Sequence, residues 1–411
     1  MAGDASDAGW VEIMPIKSIT QSPTEDAFVQ SPYAFYVRAR QQGNLVHWDD
    51  YGTVHALDSA TVNQLLRDRN WGRSFPLERS GLTQPHLADF ARLERDSLLA
   101  LEPPEHTRIR KFLTRAFTSS AIAELQPFIE GTAHALLDEA HSPYELIGNY
   151  AERLPVLTIA RLLGVPLEMA SQLLAWSHDM VAMYQARRDA AVEHRANQAA
   201  RDFAACIHTE IKRQQHEPGN SLITRLLQPD DRGETLSRHE MVATVILLLN
   251  AGHEATASAI GNGVKVLVES GLAIPPLLAP DRIAATVEEI LRFDPPLHVF
   301  ERLALRDVRV AGHAFPQGSP IGLVLAAANR DPSAIPDPDR FDPMRKPLPH
   351  TSFGAGIHFC IGAPLARLEL AIALTVLFRR FPALSFASPP RYANRYHFHG
   401  LEALHLVLDA P

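Results

Sequence analysis

Of the two cysteines in this 411-residue chain, Cys360 stands where a thiol could do chemistry. It lies in SFGAGIHFCIGAPLARLEL, between a glycine-rich loop and a segment patterned as a helix. A thiolate at a helix start receives backbone N–H groups and the positive end of the helix dipole, and both lower its pKa. Gly354, Gly356 and Gly362 would let the backbone turn tightly and pass close to a flat ligand. A lone cysteine is more often a small buried hydrophobe, so its surroundings must decide. A second candidate is Ala251-Gly252-His253-Glu254-Ala255-Thr256, an acid among small residues in a long apolar segment. The HE pair suggests a zinc hydrolase, but HExxH needs histidine where Ala257 stands, so that reading fails. The third is PPEHTRIRKFLTR, residues 103–115. At about 100° per residue on a helix, Arg108, Lys111 and Arg115 share one side, while His106 and Arg110 share the opposite one.

The elements that must position these groups are mostly helical. Apolar spacing predicts helices over 121–140, 152–163, 169–184 and 187–214. A long helix should open with Ser237 as its cap and Glu240 at the capping-box position, and end near Gly271. Its first half is apolar nearly all round, which predicts burial. Two more helices are expected, over 281–293 and from Gly362 to near Phe381. Strand patterning is confined to 44–57, 305–324 and, more weakly, 404–408. The expected class is mostly α with a small β portion (α+β).

No Ser/Gly-rich linker, repeat or low-complexity block interrupts residues 1–411, so one large domain is expected. Lys and Arg number 39 against 47 Asp and Glu, a net charge of −8, which excludes electrostatic nucleic-acid binding. The longest apolar runs are too short to span a bilayer, so no membrane insertion is expected. The acidic N-terminus MAGDASDAGW lacks the order of a signal peptide. Two cysteines cannot build a disulfide framework or an iron–sulfur cluster. A cytoplasmic protein is the expectation.

Spacing settles the cysteine. Phe353, Gly356, His358, Cys360, Gly362 and Ala366 spell FxxGxHxCxGxxLA, which resembles the haem-binding loop of the cytochrome P450 family. Glu289 and Arg292 resemble that family's ExxR, with Arg340 in DPDRF matching the arginine that completes a structural Glu–Arg–Arg lock. The resemblance implies haem b, Cys360 as the iron ligand, and Phe353, Gly354 and Gly362 beside it in the cofactor loop. It also implies that His106, Arg110, Arg302 and His358 hold the propionates, with Arg forks suited to carboxylates. The outer trio Arg108, Lys111 and Arg115 would face an acidic electron donor. By position, Leu297, His298 and Val299 and the YHFHG turn with His397 and His399 would line the substrate pocket. Their polar rings hint at a substrate with polar groups.

The distal segment departs from the family pattern, which follows the acid directly with threonine. Here Ala255 takes that place and Thr256 comes one residue later, rotated by about 100°. Three readings compete: a substrate hydroxyl or ordered water fills the gap, Thr256 serves through a local helix distortion, or oxygen activation is impaired. The first is preferred. The resemblance thus implies a haem-thiolate monooxygenase that activates oxygen and hydroxylates or epoxidises an organic small molecule. Ala251, Gly252, Glu254, Ala255 and Thr256 would form its distal catalytic segment. Electrons would come from a separate ferredoxin and NAD(P)H-dependent reductase, and a monomer is expected. The rivals are a peroxide-using or rearranging haem-thiolate enzyme and a haem-containing binding protein without turnover.

Overall fold

The long helix organises the molecule. In the computed structural model, which describes residues 15–74, 82–184, 188–395 and 398–408, it runs unbroken over Arg238–Glu269. Its start is the expected capping box: Ser237 Oγ accepts from the Glu240 N–H at 3.3 Å, and the Glu240 carboxylate accepts from the Ser237 N–H at 2.8 Å. Gly271, at φ +65°, follows its end. Helices Arg153–Leu163, Ala190–His216, Ile283–Phe293 and Ala363–Arg380 pack around it. Their apolar faces merge with its own in one large core cluster. Each fully buried Leu or Ile there contributes roughly 2 kcal/mol.

Beside this helical body lies a mixed six-stranded sheet. Its strands, in spatial order, are Lys17–Ile19, Leu45–Trp48, Thr53–Ala56, Pro320–Val324, Val299–Ala304 and Trp71–Gly72. Arg302 sits in the fifth strand, opposite Ile321. The sheet's own core cluster includes Leu65, Leu66, Ile321, Leu323 and Ala355. Ala355 therefore fastens the cysteine loop to the sheet side of the molecule.

The α+β expectation holds, with local corrections. The helix expected over 121–140 is two, Ser119–Ala123 and Gln126–Asp138, because Pro127 fits only a first helical turn and forces a new start. The segment 169–184 ends in a 3-10 turn, Ala182–Tyr184. Val299–Ala304 is a full strand that the sequence pattern had not marked. Among the described residues, no helix is long and apolar enough to cross a membrane.

Candidate active site

The cysteine loop is held by contacts that only glycine permits. Gly354 and Gly356 have φ of +67° and +70°. A Cβ on Gly356 would lie 2.3 Å from the Leu66 carbonyl oxygen, so the loop is clamped against the end of the helix Ser59–Arg67. The Cys360 N–H then donates to the Phe353 carbonyl at 3.0 Å. Gly362 caps the helix Ala363–Arg380, and the N–H groups of Gly362 and Ala363 reach the Cys360 sulfur. Burial nonetheless outweighs them and the nearby Arg110 and Arg367, and raises the thiol pKa. The expected lowering is thus reversed in the protein alone. Cys360 is exposed as a residue, and desolvation is the largest influence on its thiol.

Near the cysteine loop gather groups that want an anion. His106 is 2% exposed, and neither ring nitrogen has a hydrogen-bond partner. Burial pulls its pKa down to about 4. Its ring meets that of His358 edge-on, with centroids 4.6 Å apart. Arg110 donates to the Phe359 carbonyl at 2.6 Å. Arg302 is also 2% exposed and donates only to the Glu301 carbonyl, at 2.9 Å; burial lowers its pKa to about 9. Neither arginine forms an ion pair with a carboxylate among the described residues. Buried, unpaired polar groups of this kind are costly and call for a partner. The carboxylates of a haem fit that need. His358 Nε2 lies 3.4 Å from a Glu102 carboxylate oxygen. Glu102 also accepts the Arg73 N–H, and Arg73 stacks over Phe300 at 5.5 Å. The sequence reading missed both Glu102, which directly precedes the PPEH segment, and Arg73, which follows the short strand Trp71–Gly72.

Two other expectations need correction. The outer basic trio is not free: Arg108 pairs with Glu240, Lys111 with Asp230 at 3.0 Å, and Arg115 donates to the Gln228 carbonyl at 3.0 Å. Residues 228–240 thus already neutralise most of that face. The lock behind the site is real, but its third member is Arg345. Glu289 and Arg292 form a buried two-pronged pair at 2.7 Å on each prong, and Arg345 Nε lies 3.6 Å from the same carboxylate. Arg340 is exposed and contributes its backbone carbonyl, which accepts from Arg292 at 3.2 Å.

Across the site, the middle of the long helix is mostly buried; Leu247, Ala251 and Ala255 form one stripe that remains open at four-residue spacing, and Gly252 and Ser258 are also partly exposed. Gly252 is not on that stripe. A Cβ there would meet Ile159 at 3.4 Å, so this glycine admits the neighbouring helix Arg153–Leu163. Glu254 is nearly buried, with Arg395 Nη1 3.6 Å from one oxygen and His178 Nε2 3.5 Å from the other. Thr256 is buried and donates to the Gly252 carbonyl at 3.1 Å. The segment is helical throughout, and the Thr256 hydroxyl is engaged by the helix backbone.

The profile of the cytochrome P450 family matches residues 283–392, which include the lock and the cysteine loop. The chain is 32% identical over 401 residues to the biotin biosynthesis cytochrome P450 of Bacillus subtilis, covering 95% of this chain and all of that one. The chain belongs to the cytochrome P450 family. It is 39% identical over 293 residues to the 6-deoxyerythronolide B hydroxylase of Saccharopolyspora erythraea, covering 69% of this chain and 70% of that one. The crystal structure of P450BioI, in complex with a hexadec-9-enoic acid-ligated acyl carrier protein, superposes with a TM-score of 0.87 at 32% identity. It covers 93% of this chain and 100% of that one.

This P450 is therefore a monooxygenase-type oxidoreductase that uses a haem-iron cofactor. Its pocket differs from the sequence expectation in one respect. His298 and His399 are both buried, their rings tilted against each other at 4.1 Å, in a cluster with Tyr33, Tyr392 and Asp294. His397 lies outside the described residues. The polar-substrate hint consequently loses its basis in His298 and His399.

Proposed function

We propose that this P450 carries haem b with Cys360 as the iron ligand and hydroxylates or epoxidises an organic small molecule. The observation that carries the reading is Cys360, exposed in its glycine loop with the Gly362 and Ala363 N–H groups on its sulfur, together with His106, whose buried ring nitrogens have no hydrogen-bond partner among the described residues. When bound, a thiolate-ligated haem supplies oxygen activation, because the thiolate pushes electron density toward the iron. Arg302 and Arg110 present planar forks to the propionates, and His106 adds an imidazole that desolvation keeps neutral. Glu254 holds a proton source close to the open stripe. Its neighbour His178 is partly exposed and links that carboxylate to solvent. The missing hydroxyl at position 255 is supplied by ordered water or by the substrate, since Thr256 spends its own on the helix backbone. Leu247, Ala251 and Ala255 offer only apolar surface to a substrate, which favours an apolar portion at the site of attack. The chain works as one domain and a monomer, and electrons come from a separate ferredoxin and its NAD(P)H-dependent reductase.

The test is the spectrum of the reduced protein with carbon monoxide, beside Cys360→Ala. A strongly red-shifted Soret band that vanishes in the variant is expected; a band at the ordinary haem position in both would overturn thiolate ligation. Ala255 favours one second reading, a peroxide-driven enzyme. Turnover on hydrogen peroxide alone, with none from NAD(P)H and partners, would select it.

A further inference from the structure

The HE pair at 253–254 failed as a zinc motif because Ala257 replaces the second histidine. The fold brings a different third group to it. His178, from the helix Ala170–Val181, places Nε2 3.5 Å from Glu254 Oε2, and His253 Nε2 lies 3.7 Å from the same oxygen. The three atoms fall within 4.8 Å of one another. We propose that His178, His253 and Glu254 bind a single transition cation of the Zn2+ class.

Three observations support the site. The first is spacing. Charge-assisted hydrogen bonds close to about 2.7–2.9 Å, and these contacts stand well outside that range. Ligands at about 2.0–2.1 Å around a tetrahedral ion are separated by roughly 3.4 Å, close to what is seen. The second is the direction of the lone pair. His253 is 1% exposed, and its Nδ1 lies 2.9 Å from the Leu249 carbonyl. A carbonyl only accepts, so Nδ1 carries the proton and Nε2 turns its lone pair toward Glu254. Lone pair against carboxylate is repulsive until a proton or a metal cation stands between them, and 3.7 Å is too long for a shared proton and suits an ion. The N–H to a backbone carbonyl is also the support that metal-bound histidines commonly have. The third is the lack of any other partner: the Nε2 atoms of both His178 and His253 are buried without hydrogen bonds.

Glu152, whose carboxylate lies 3.9 Å from His178 Nε2, stands close enough to supply a fourth ligand. Arg395 lies 3.6 Å from the other oxygen of Glu254 and leaves Oε2 to the ion. The His178 side chain is 38% exposed and gives a route in from solvent. Imidazole and carboxylate together suit Zn2+, Ni2+ or Cu2+ over Mg2+ or Ca2+. The other such cluster, Asp294, His298 and His399, already has its carboxylate hydrogen-bonded by Tyr33 and Tyr392. A second consequence rests on the function proposed above: an ion on Glu254 removes it from proton delivery and slows oxygen-dependent turnover.

Binding is read apart from turnover. Haem-loaded protein is dialysed against micromolar Zn2+ at neutral pH, and zinc and iron are measured by mass spectrometry. One zinc per chain is expected. Its affinity should fall at least tenfold in both His178→Ala and Glu254→Gln, with the carbon monoxide spectrum of each unchanged as evidence of folding. His194→Ala, which removes a surface histidine neighbour of His86, should leave that zinc in place. A rise in melting temperature with Zn2+, present in the wild type and lost in both site variants, is the second readout. No bound zinc, or zinc that persists in both site variants, overturns the proposal. Zinc binding without inhibition would refute only the proton-delivery role of Glu254.

Discussion

The two sides of the site are built on different principles. On the cysteine side, Cys360, its glycines and its N–H donors lie within one short stretch, and the loop is fixed by Gly356 against Leu66. On the long-helix side, the surroundings of the site come from remote segments: Glu254 meets His178 and Arg395, and Gly252 meets Ile159. A local motif can carry a ligand because backbone geometry alone positions it. A proton route must reach solvent, so it is assembled from whatever the neighbouring helices bring. The cysteine side should therefore fail abruptly when a single residue changes, whereas the helix side should respond by degrees.

The largest effect tests the first half of that contrast. Cys360→Ala should abolish the red-shifted carbon monoxide band and reduce turnover to background, while circular dichroism stays unchanged. A variant that kept monooxygenase activity would show that the loop does not supply the iron ligand.

The lock behind the loop comes next. Glu289 and Arg292 are both buried and bonded at two points. Removing one partner leaves an uncompensated charge, and Glu289→Ala should cost about 3–5 kcal/mol by urea denaturation. Arg345→Ala should cost about 1 kcal/mol, and Arg340→Ala close to nothing, because only its backbone carbonyl is used. The reverse order for the two arginines would restore Arg340 to the lock.

That pair of arginines also marks where the sequence stopped being legible. The cysteine motif, the capping box at Ser237 and the ExxR pair depend on fixed local offsets, and each appears as read. Arg340 and Arg345 lie five residues apart in irregular chain, where no period says which side chain turns inward. The same difficulty hid the pairing of Arg108 and Lys111 with Glu240 and Asp230: helical spacing gave their common face but not what covers it. His298 and His399 were placed by likeness of position alone. In the structure, they lie in irregular chain beside the isolated Leu297–Phe398 bridge, and their rings join an aromatic cluster. Glu102 and Arg73 meet from segments 29 residues apart, a contact no local pattern encodes. The break at Pro127 was legible, since proline in mid-helix costs about 3 kcal/mol, but apolar spacing across it concealed the new start.

The smallest effects are expected on the long helix, and they discriminate best. Thr256→Val removes a hydroxyl that is spent on the Gly252 carbonyl. A back-bond of this kind contributes little, so product formation with NAD(P)H and redox partners should change by less than about twofold. Ala255→Thr adds a hydroxyl on the open stripe, one turn from Ala251 and next to Glu254. If water now fills that place, the fraction of NAD(P)H converted to product should rise severalfold with substrates lacking a hydroxyl, and change little with those that bring one. A large loss in Thr256→Val, together with no gain in Ala255→Thr, would mean that Thr256 reaches the site despite its hydrogen bond. The helix would then have to distort during turnover, and the contrast between a fixed cysteine side and a graded helix side would need to be redrawn.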